Sequence, residues 1–466
     1  MRNTRWDAWG KNSPGLVPYG RIDVMLNLLD IIAENRGGKE RGAYAVCSAH
    51  PWVIDAAIQQ ALASGSLLHV ESTGSQVNQV GGYSGNTPRR FATWIHAAAR
   101  DAGLSPEQVL VGGDHIGPFP WRHEGSGQAL AKAAQLVRDC VLAGYEKIHL
   151  DTSMPCADDA RVPLDDRTIA ERAAILCHAA EEASRGLSPP SSPPLYVIGT
   201  EVPAPGGESV LGGPPEVTTV ESVDVTLQAF RAAFVSRGLS AAWERVIALV
   251  VQPGAGFQDH VVFDYNAGRA QALSAALPSQ AMVFEAHSTD YQTPAALANM
   301  VRDHFAILKV GPWLTFAFRE AVFALAAIEQ ETMGDRKGAR LSDVRGELER
   351  AMLRDPSHWQ SYYSGDEHEL ALSRAYSYGD RCRYYWHHAA VQNEVQRLVQ
   401  NLTNCQLPPG LVSQYLPREY EAQRAGRLEP GPKALIQFHI RNVLIPYAAA
   451  CGAGSPRSES GVLTHA

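Results

Sequence analysis

The chain repeats one pattern eight times: a short apolar run, a polar loop, and a segment with helical spacing of apolar residues. The runs cover residues 43–47, 67–70, 109–111, 147–150, 195–198, 246–251, 282–284 and 305–308. The helical segments that follow them cover residues 53–63, 88–102, 129–143, 166–184, 222–236, 267–276, 294–303 and 314–329. Wholly apolar short runs are typical of strands buried on both faces, and their alternation with helices predicts a parallel sheet. Eight such units close a (β/α)8 TIM barrel.

An open, doubly wound sheet is the alternative arrangement of such units. It would place a Gly-rich phosphate-binding loop after an early strand. The pairs Gly81-Gly82 and Gly112-Gly113 do not fit the spacing G-x-G-x-x-G. The sequence therefore favours the closed barrel.

The regions outside the repeat differ in composition. We predict an irregular N-terminal arm over residues 1–21, the barrel over residues 22–330, an α-helical C-terminal region over residues 331–452 and a disordered tail over residues 453–466. The C-terminal region is expected to contain helices at 341–354, 367–377, 391–402 and 432–449, because apolar residues there recur at helical spacing.

Composition excludes several classes of protein. Of 466 residues, 45% are hydrophobic, which is enough for a large core. The net charge is −8 and the lysines and arginines are scattered, so a nucleic-acid partner is not expected. No apolar stretch is long enough to span a membrane, and the first 20 residues lack the apolar core of a signal peptide. The seven cysteines form no CxxC pair, so we expect reduced thiols and a cytoplasmic location.

Polar side chains follow the ends of the predicted strands. Catalytic groups of this fold project from the carboxyl ends of the strands, so these side chains are predicted to surround one barrel mouth. The set comprises His50, Glu71, Asp114, His115, Asp151, Glu201, Gln252, Glu285, His287 and Lys309. Asp114 and His115 directly follow a buried run, as a proton-transfer group beside a metal ligand would. Imidazoles and carboxylates together suit a divalent metal of the zinc or manganese type.

Each residue of this ring also has a structural explanation. Glu71 and Asp151 are suited to capping the next helix, and His50 before Pro51 to packing within a loop. Lys309 is suited to an ion pair with Glu285. We interpret four further histidines, which lie away from the strand ends, as structural: His123, His149, His178 and His304.

A polar loop at residues 74–86 is a second candidate for ligand binding. The amide groups of Gln76, Asn78 and Gln79 both donate and accept hydrogen bonds, which suits vicinal hydroxyl groups of a sugar. The alternative is a loop whose amides bond only to one another. Ser288, beside His287, is a further substrate-binding candidate. For a phosphate group the candidates are Lys309, Arg381 and Arg383, although none lies in a strong phosphate-binding loop.

Five stretches of the sequence resemble a known family. They are Cys47-Ser48-Ala49-His50-Pro51, the segment 71–83, Gly113-Asp114-His115-Ile116-Gly117-Pro118, His149-Leu150-Asp151, and Asp380-Arg381 before Tyr384-Tyr385-Trp386. They are similar to the GatZ/KbaZ family, the subunits of class II tagatose-bisphosphate aldolase that are called non-catalytic. The resemblance extends over about residues 25–450. It implies a barrel of the class II aldolase type, in which an Asp-His pair supplies a base and a metal ligand. Asp114 and His115 match that pair.

The resemblance implies two functions. Some members resemble 4-epimerases of ketoses or ketose 6-phosphates, which work by retro-aldol cleavage and re-addition. Others stabilise a separate aldolase catalytic subunit. A third description of family members, as tagatose-6-phosphate kinases, does not suit this sequence, which has no P-loop. A sugar-binding module without chemistry is disfavoured, because binding alone needs no metal.

We expect metal-dependent epimerisation at C4 of a tagatose-type or fructose-type ketohexose or its 6-phosphate. The expected partners are that ketose, an aldolase catalytic subunit and a second copy of the chain. The expected cofactor is one divalent ion, zinc before manganese, cobalt or nickel. The residues assigned to catalysis are Asp114, Asp151 and Glu71, and those assigned to the metal are His115, Glu201 and His287. Substrate binding is assigned to His50, Gln76, Asn78, Gln79, Gln252, Ser288, Lys309 and Arg381.

Overall fold

Eight parallel strands close into a barrel in the computed structural model, which describes residues 21–160, 162–187, 192–202, 213–277, 281–335 and 338–453. The strands are β1 (Ala43–Cys47), β2 (Leu68–Thr73), β3 (Val109–Ile116), β4 (Lys147–Leu150), β5 (Leu195–Ile198), β6 (Val246–Val251), β7 (Val283–Ala286) and β8 (Phe305–Val310). Each strand pairs with the next along the chain, and β8 pairs with β1. The predicted (β/α)8 barrel is confirmed. Residues 1–20 of the predicted arm (1–21) and residues 454–466 of the predicted tail (453–466) lie outside the described residues.

Helices surround the barrel in the predicted order. They are α1 (Arg21–Arg36), α2 (Pro51–Ser64), α3 (Pro88–Asp101), α4 (Ser126–Ala143), α5 (Asp166–Arg185), α6 (Val220–Ser236), α7 (Ser240–Trp243), α8 (Ala267–Ala275), α9 (Pro294–Arg302) and α10 (Pro312–Met333). Local sequence explains several of the boundaries. Thr87, Thr219 and Thr293 accept backbone N–H bonds as N-caps. Gly65 and Gly144 end α2 and α4 in the left-handed conformation that glycine adopts without strain.

The described residues of the C-terminal region form six α-helices. They are α11 (Val344–Arg354), α12 (Glu367–Tyr376), α13 (Ala389–Thr403), α14 (Pro409–Tyr415), α15 (Pro417–Arg424) and α16 (Pro432–Ala450). The sequence did not predict α14 and α15, nor the hairpin formed by Gly256–Phe257 and Val262–Phe263, because each element is too short to show a period. No helix among the described residues is long and apolar enough to cross a bilayer.

The C-terminal region packs directly on the barrel. The last helix, α16, contacts α2, α9 and α10. The hydroxyl of Tyr447 on α16 donates to the carbonyl oxygen of Thr289 at 2.6 Å, just beyond β7. α10 runs across residue 330, where we predicted the boundary between the two regions. These contacts hold the C-terminal segments against the barrel mouth.

Candidate functional site

Asp114 and His115 are consecutive residues of β3, yet both side chains line the cavity at the barrel mouth. Consecutive side chains of a regular strand point to opposite faces. Here the register between β3 and β4 shifts between Gly113 and Ile116, and His115 has φ of 46°. A bulge of this kind redirects a side chain. A left-handed backbone at a residue other than glycine costs about 1–3 kcal/mol, and such strain is concentrated at functional sites.

The close approach of the ends of β3 and β4 is consistent with the same bulge. A side chain at Gly117 would place its Cβ 1.6 Å from the carbonyl oxygen of Asp151, so only glycine fits there. The amide of Asp151 donates to the carbonyl oxygen of Ile116 at 3.1 Å. Because the two strand ends are this close, Asp151 reaches the ring of His115.

Three buried imidazoles form a nearly equilateral triangle. The ring centroids of His115, His149 and His287 are 5.1, 4.8 and 5.0 Å apart in pairs. Nδ1 of His287 lies 3.2 Å from Nε2 of His115. The Oδ1 atom of Asp114 is 3.7 Å from Nε2 of His115 and 3.6 Å from Nδ1 of His149. One ligand atom from each of the four side chains lies within 4.8 Å of the others.

Carboxylates hold the outer nitrogens of two of these rings. Oδ2 of Asp151 is 2.7 Å from Nδ1 of His115, and Oε1 of Glu285 is 2.9 Å from Nε2 of His287. Metal-binding histidines characteristically bond a carboxylate through the nitrogen that does not bind the metal. Nε2 of His149 is buried without a hydrogen-bond partner among the described residues. The donor set therefore fits a divalent metal, which His115, His149 and His287 would hold beside Asp114.

A network of buried ion pairs lies around this group. Nζ of Lys147 is 2.7 Å from Oε1 of Glu71 and 2.6 Å from Oε2 of Glu285. Nζ of Lys309 contacts Glu71 and lies 2.6 Å from Oδ1 of Asp114. Three carboxylates face the two ammonium groups, and Asp151 beside His115 is a fourth, so with neutral imidazoles the formal excess is two negative charges. A divalent cation would balance this excess.

The network keeps Asp114 ionised. Burial opposes its charge, but His115 and Lys309 outweigh burial and hold the pKa of Asp114 well below its ordinary value. Burial lowers the pKa of His115, but Asp114 and Asp151 outweigh burial and raise it. Burial lowers the pKa of His287 to about 4, so this ring is neutral at pH 7 and its nitrogen lone pair is available to a metal.

His149 was interpreted as structural because it lies away from the predicted strand ends. Its position contradicts this interpretation, because its ring belongs to the group of three imidazoles. Lys147 and His149 alternate with Ile148 and Leu150 along β4. This period of two places both polar side chains on the inner face of the barrel. The alternation was visible in the sequence and is the signal that could have identified His149.

Glu201 does not join the imidazole group. It is exposed, and its carboxylate accepts a hydrogen bond from Thr218 at 2.5 Å. β5 ends at Ile198, so the chain has left the barrel before it reaches Glu201. Asp114, not Glu201, is the carboxylate that the structure places beside the three rings.

Glu71 and Asp151 lie behind the site rather than in the cavity. Glu71 is fully buried among His69, Lys147 and Lys309. Asp151 bonds His115 through one oxygen and Ser153 through the other. Neither side chain lines the cavity, so their positions suit holding other side chains and not proton transfer to a substrate.

The cavity connects the imidazole group with the C-terminal region. The space open to the centre of a water molecule is about 110 Å³, which is room for several waters or a small polar ligand. The predicted residues that line it are His50, Gln76, Asp114, His115, His287, Ser288 and Lys309. The cavity-lining residues that sequence reasoning did not assign include Asp290, Thr315, Tyr384, Trp386 and His387. The aromatic stretch at 376–386 stands out in the sequence, but its position over the barrel mouth depends on tertiary packing.

Three of the predicted amide side chains bond to the backbone outside the cavity. Asn78 donates to the carbonyl oxygen of Gly74 at 2.8 Å and accepts the amides of Val80 and Gly82 at 3.0 Å. Gln79 donates to the carbonyl oxygen of Lys132 at 3.2 Å, and Gln252 accepts the amide of Gly254 at 2.9 Å. None of the three lines the cavity. Asn78 therefore follows the alternative prediction, in which the amides bond within the loop. Of the three predicted loop amides, only Gln76 lines the cavity.

Arg381 is likewise turned away from the cavity. Its guanidinium lies 3.1 Å from the ring centroid of Tyr362, and its Nε donates to the carbonyl oxygen of His358. Arg383 lines the cavity in its place. His50 does reach the cavity, with its ring 4.4 Å from that of Phe318 and Nδ1 buried without a partner among the described residues. Burial lowers the pKa of His50 to about 3, so its imidazole is neutral.

These features define a (β/α)8 barrel with a histidine and carboxylate centre at the carboxyl ends of its strands. Residues 28–452 match the sequence profile of the family described as D-tagatose-1,6-bisphosphate aldolase subunit GatZ/KbaZ-like, and the chain belongs to this family. A protein from Sinorhizobium meliloti 1021, described as a probable tagatose 6 phosphate kinase, has a similar structure. It is 41% identical, with a TM-score of 0.79, over 88% of this chain and 100% of that one.

Two aldolases also match, at low similarity. The YdjI aldolase from Escherichia coli K12 is 9% identical, with a TM-score of 0.40, over 78% of this chain and 95% of its own. Fructose-bisphosphate aldolase from Campylobacter jejuni is 14% identical, with a TM-score of 0.41, over 81% of this chain and 92% of its own.

Proposed function

We propose that this protein is a metal-dependent epimerase that inverts C4 of a ketohexose or its 6-phosphate by retro-aldol and aldol steps. The observation that carries the proposal is the triangle of His115, His149 and His287 beside Asp114 at the end of the cavity. A protein that only stabilises a partner has no need of three imidazoles and a carboxylate converging at such a place. The name of the Sinorhizobium meliloti relative supports a tagatose-type sugar as the substrate.

The reaction needs stabilisation of negative charge on the substrate. When the C3–C4 bond breaks, its electron pair passes to C3 and the adjoining carbonyl, which gives an enediolate. His115, His149 and His287 would hold a divalent ion there, and that ion would supply Lewis-acid stabilisation of the charge. Lys309 lines the same cavity, and its ammonium group adds a fixed positive charge.

Asp114 is suited to move the proton of the C4 hydroxyl group. Lys309, whose Nζ lies 2.6 Å from Oδ1 of Asp114, favours the ionised carboxylate, which is therefore able to accept a proton. The aldehyde carbon then turns so that its other face meets C3, and the bond forms again with C4 inverted. In this scheme Asp151 and Glu285 orient His115 and His287, and Glu71 holds Lys309.

The cavity also suits a polyhydroxylated ligand. Nδ1 of His50, Nε1 of Trp386 and Nδ1 of His387 are buried without hydrogen-bond partners among the described residues. Buried polar atoms are normally hydrogen-bonded in folded proteins. Hydroxyl or phosphate oxygens of a bound sugar would provide acceptors for these groups.

The direct experiment is a screen for interconversion at C4. Purified protein with added zinc, manganese, cobalt or nickel is incubated with each ketohexose and each 6-phosphate, and the products are separated by chromatography. We expect one tagatose–fructose type pair to interconvert. No turnover of any ketose, together with a gain in stability or activity of an aldolase catalytic subunit on mixing, would favour the alternative of a non-catalytic subunit.

A further inference from the structure

Tyr384 lies in the wall of the cavity that the C-terminal region contributes. It is 9% exposed, and its ring is fixed by its neighbours. The ring stacks on His358, with 4.5 Å between centroids and 8° between planes, and meets the ring of Tyr83 edge-on at 4.8 Å. A ring packed on both sides cannot turn away, so the phenol oxygen is held in one position.

The hydrogen bonding of this phenol differs from that of two other buried tyrosines, Tyr385 and Tyr447. Its oxygen accepts a bond from Nη2 of Arg383 at 3.0 Å, and none of the described residues accepts its own proton. By contrast, the hydroxyl of Tyr385 donates to the carbonyl oxygen of Asp355 at 2.5 Å, and that of Tyr447 donates to Thr289 at 2.6 Å. A buried tyrosine hydroxyl normally has an acceptor. The proton of Tyr384 is therefore available to a molecule in the cavity.

Two guanidinium groups stabilise a negative charge on this oxygen. The guanidinium carbon of Arg383 is 4.4 Å from the ring centroid of Tyr384, and that of Arg381 is 5.4 Å away. Burial raises the pKa of the Tyr384 phenol, but Arg383 and Arg381 outweigh burial and hold the pKa below its ordinary value. A phenol that loses its proton more readily than usual suits acid and base catalysis.

We propose that Tyr384 is a second proton-transfer group, which works with Asp114 and serves the inverted configuration of C4. This inference rests on the proposed 4-epimerisation. Once the C3–C4 bond has formed again, the oxygen on C4 is an alkoxide that points away from its starting position. Tyr384 gives its proton to this alkoxide and becomes a phenolate, while Asp114 holds the proton of the starting hydroxyl. Transfer of that proton to the phenolate through water in the cavity restores both groups, and no further reactant is needed.

The test is the substitution Tyr384→Phe, which keeps the ring packing and removes only the hydroxyl. We expect kcat to fall by about 10²–10⁴-fold, the range for loss of a general acid or base, with metal content and Tm unchanged. The matched control is Tyr385→Phe, since the hydroxyl of Tyr385 bonds the backbone at Asp355 and does not line the cavity. This control should keep the parental kcat.

The outcomes are distinguishable. A Tyr384→Phe variant with parental kcat overturns the assignment of Tyr384 alone. An equal loss in Tyr385→Phe also overturns it, because the effect would then be structural. Absence of turnover in the parent protein removes the proposed function and this inference together.

As a second measurement, fluorotyrosine at position 384 lowers the phenol pKa without changing the packing, and we expect it to move the alkaline limb of the pH profile to lower pH. An unmoved limb contradicts the proposal.

Discussion

At the scale of single residues, the site consists of side chains that hold one another in place. The three imidazoles converge because Asp151 fixes His115 and Glu285 fixes His287, each through the nitrogen that faces away from the group. Such carboxylates also make the imidazole a better donor to a metal. The residues that the sequence assigned to catalysis therefore divide into Asp114, which faces the cavity, and Asp151 and Glu71, which support His115 and Lys309.

The structure places His149, and not Glu201, in the group that could bind a metal. Two variants test this difference directly. His149→Ala removes one of three nitrogen donors, so we expect it to abolish stoichiometric metal binding and turnover. Glu201→Ala removes an exposed side chain outside the group, so its metal content and kcat should match those of the parent. Metal content is measured by atomic emission on dialysed protein. Loss of metal in Glu201→Ala with retention in His149→Ala would restore the ligand set first inferred from the sequence.

Asp114→Asn tests the proton-transfer role of Asp114. Asparagine keeps the shape and hydrogen-bonding reach of the side chain but lacks a basic oxygen. We expect the three imidazoles to retain the metal and kcat to fall by about 10²–10⁴-fold. Parental turnover in this variant would show that another group accepts the proton.

At the scale of secondary-structure elements, one histidine joins two helices of the C-terminal region to the barrel helix α10. His439 on α16 places Nδ1 2.9 Å from Glu419 of α15 and Nε2 3.3 Å from Glu320 of α10. Its side chain is 22% exposed. Burial lowers the pKa of His439, but the two carboxylates outweigh burial and raise it to about 9. The folded protein therefore keeps this imidazole charged where the unfolded chain, with a pKa of about 6.5, has lost the proton.

This difference predicts a pH-dependent contribution to stability. Because the folded pKa is raised, the stabilisation is complete below about pH 6.5 and is lost as the pH rises through about 9. We expect His439→Gln to lower the free energy of unfolding by about 1–3 kcal/mol near pH 6 and by much less near pH 10. Urea unfolding at the two pH values measures this. The control is His178→Gln on α5, whose side chain is 47% exposed and should contribute little at either pH. An equal effect of His439→Gln at both pH values would contradict the assignment.

Element boundaries also show what the sequence could predict. The limits of β1, β5 and β6 agree with the apolar runs, because strands buried on both faces carry a nearly continuous apolar signal, and β4 agrees although polar and apolar residues alternate along it. β3 extends to Ile116 and includes Asp114 and His115, which the apolar run excluded. Polar residues at the end of a strand look like a loop in sequence, and only the bulge and the positive φ of His115 show how they remain in the strand.

At the scale of the whole molecule, the cavity is built by two parts of the chain. The barrel supplies the imidazole group and Lys309, and the C-terminal region supplies Arg383, Tyr384 and Trp386. The repeat in the sequence predicted the barrel and the general place of the site, because strand order fixes which residues meet at one mouth. The contribution of the C-terminal region could not be predicted in this way, since it depends on packing between segments that are distant in the chain.

The central claim is that a metal held at the three imidazoles makes this protein an epimerase. The most direct test is C4 epimerisation of the ketose pair found in the screen, measured before and after removal of metal with a chelator and again after zinc or manganese is restored. We expect the parent to bind one divalent ion per chain, to lose turnover when the ion is removed and to regain it when the ion is restored, whereas His115→Ala should neither bind metal nor turn over substrate. Full turnover by the metal-free parent, or full metal occupancy in His115→Ala, would contradict the central claim.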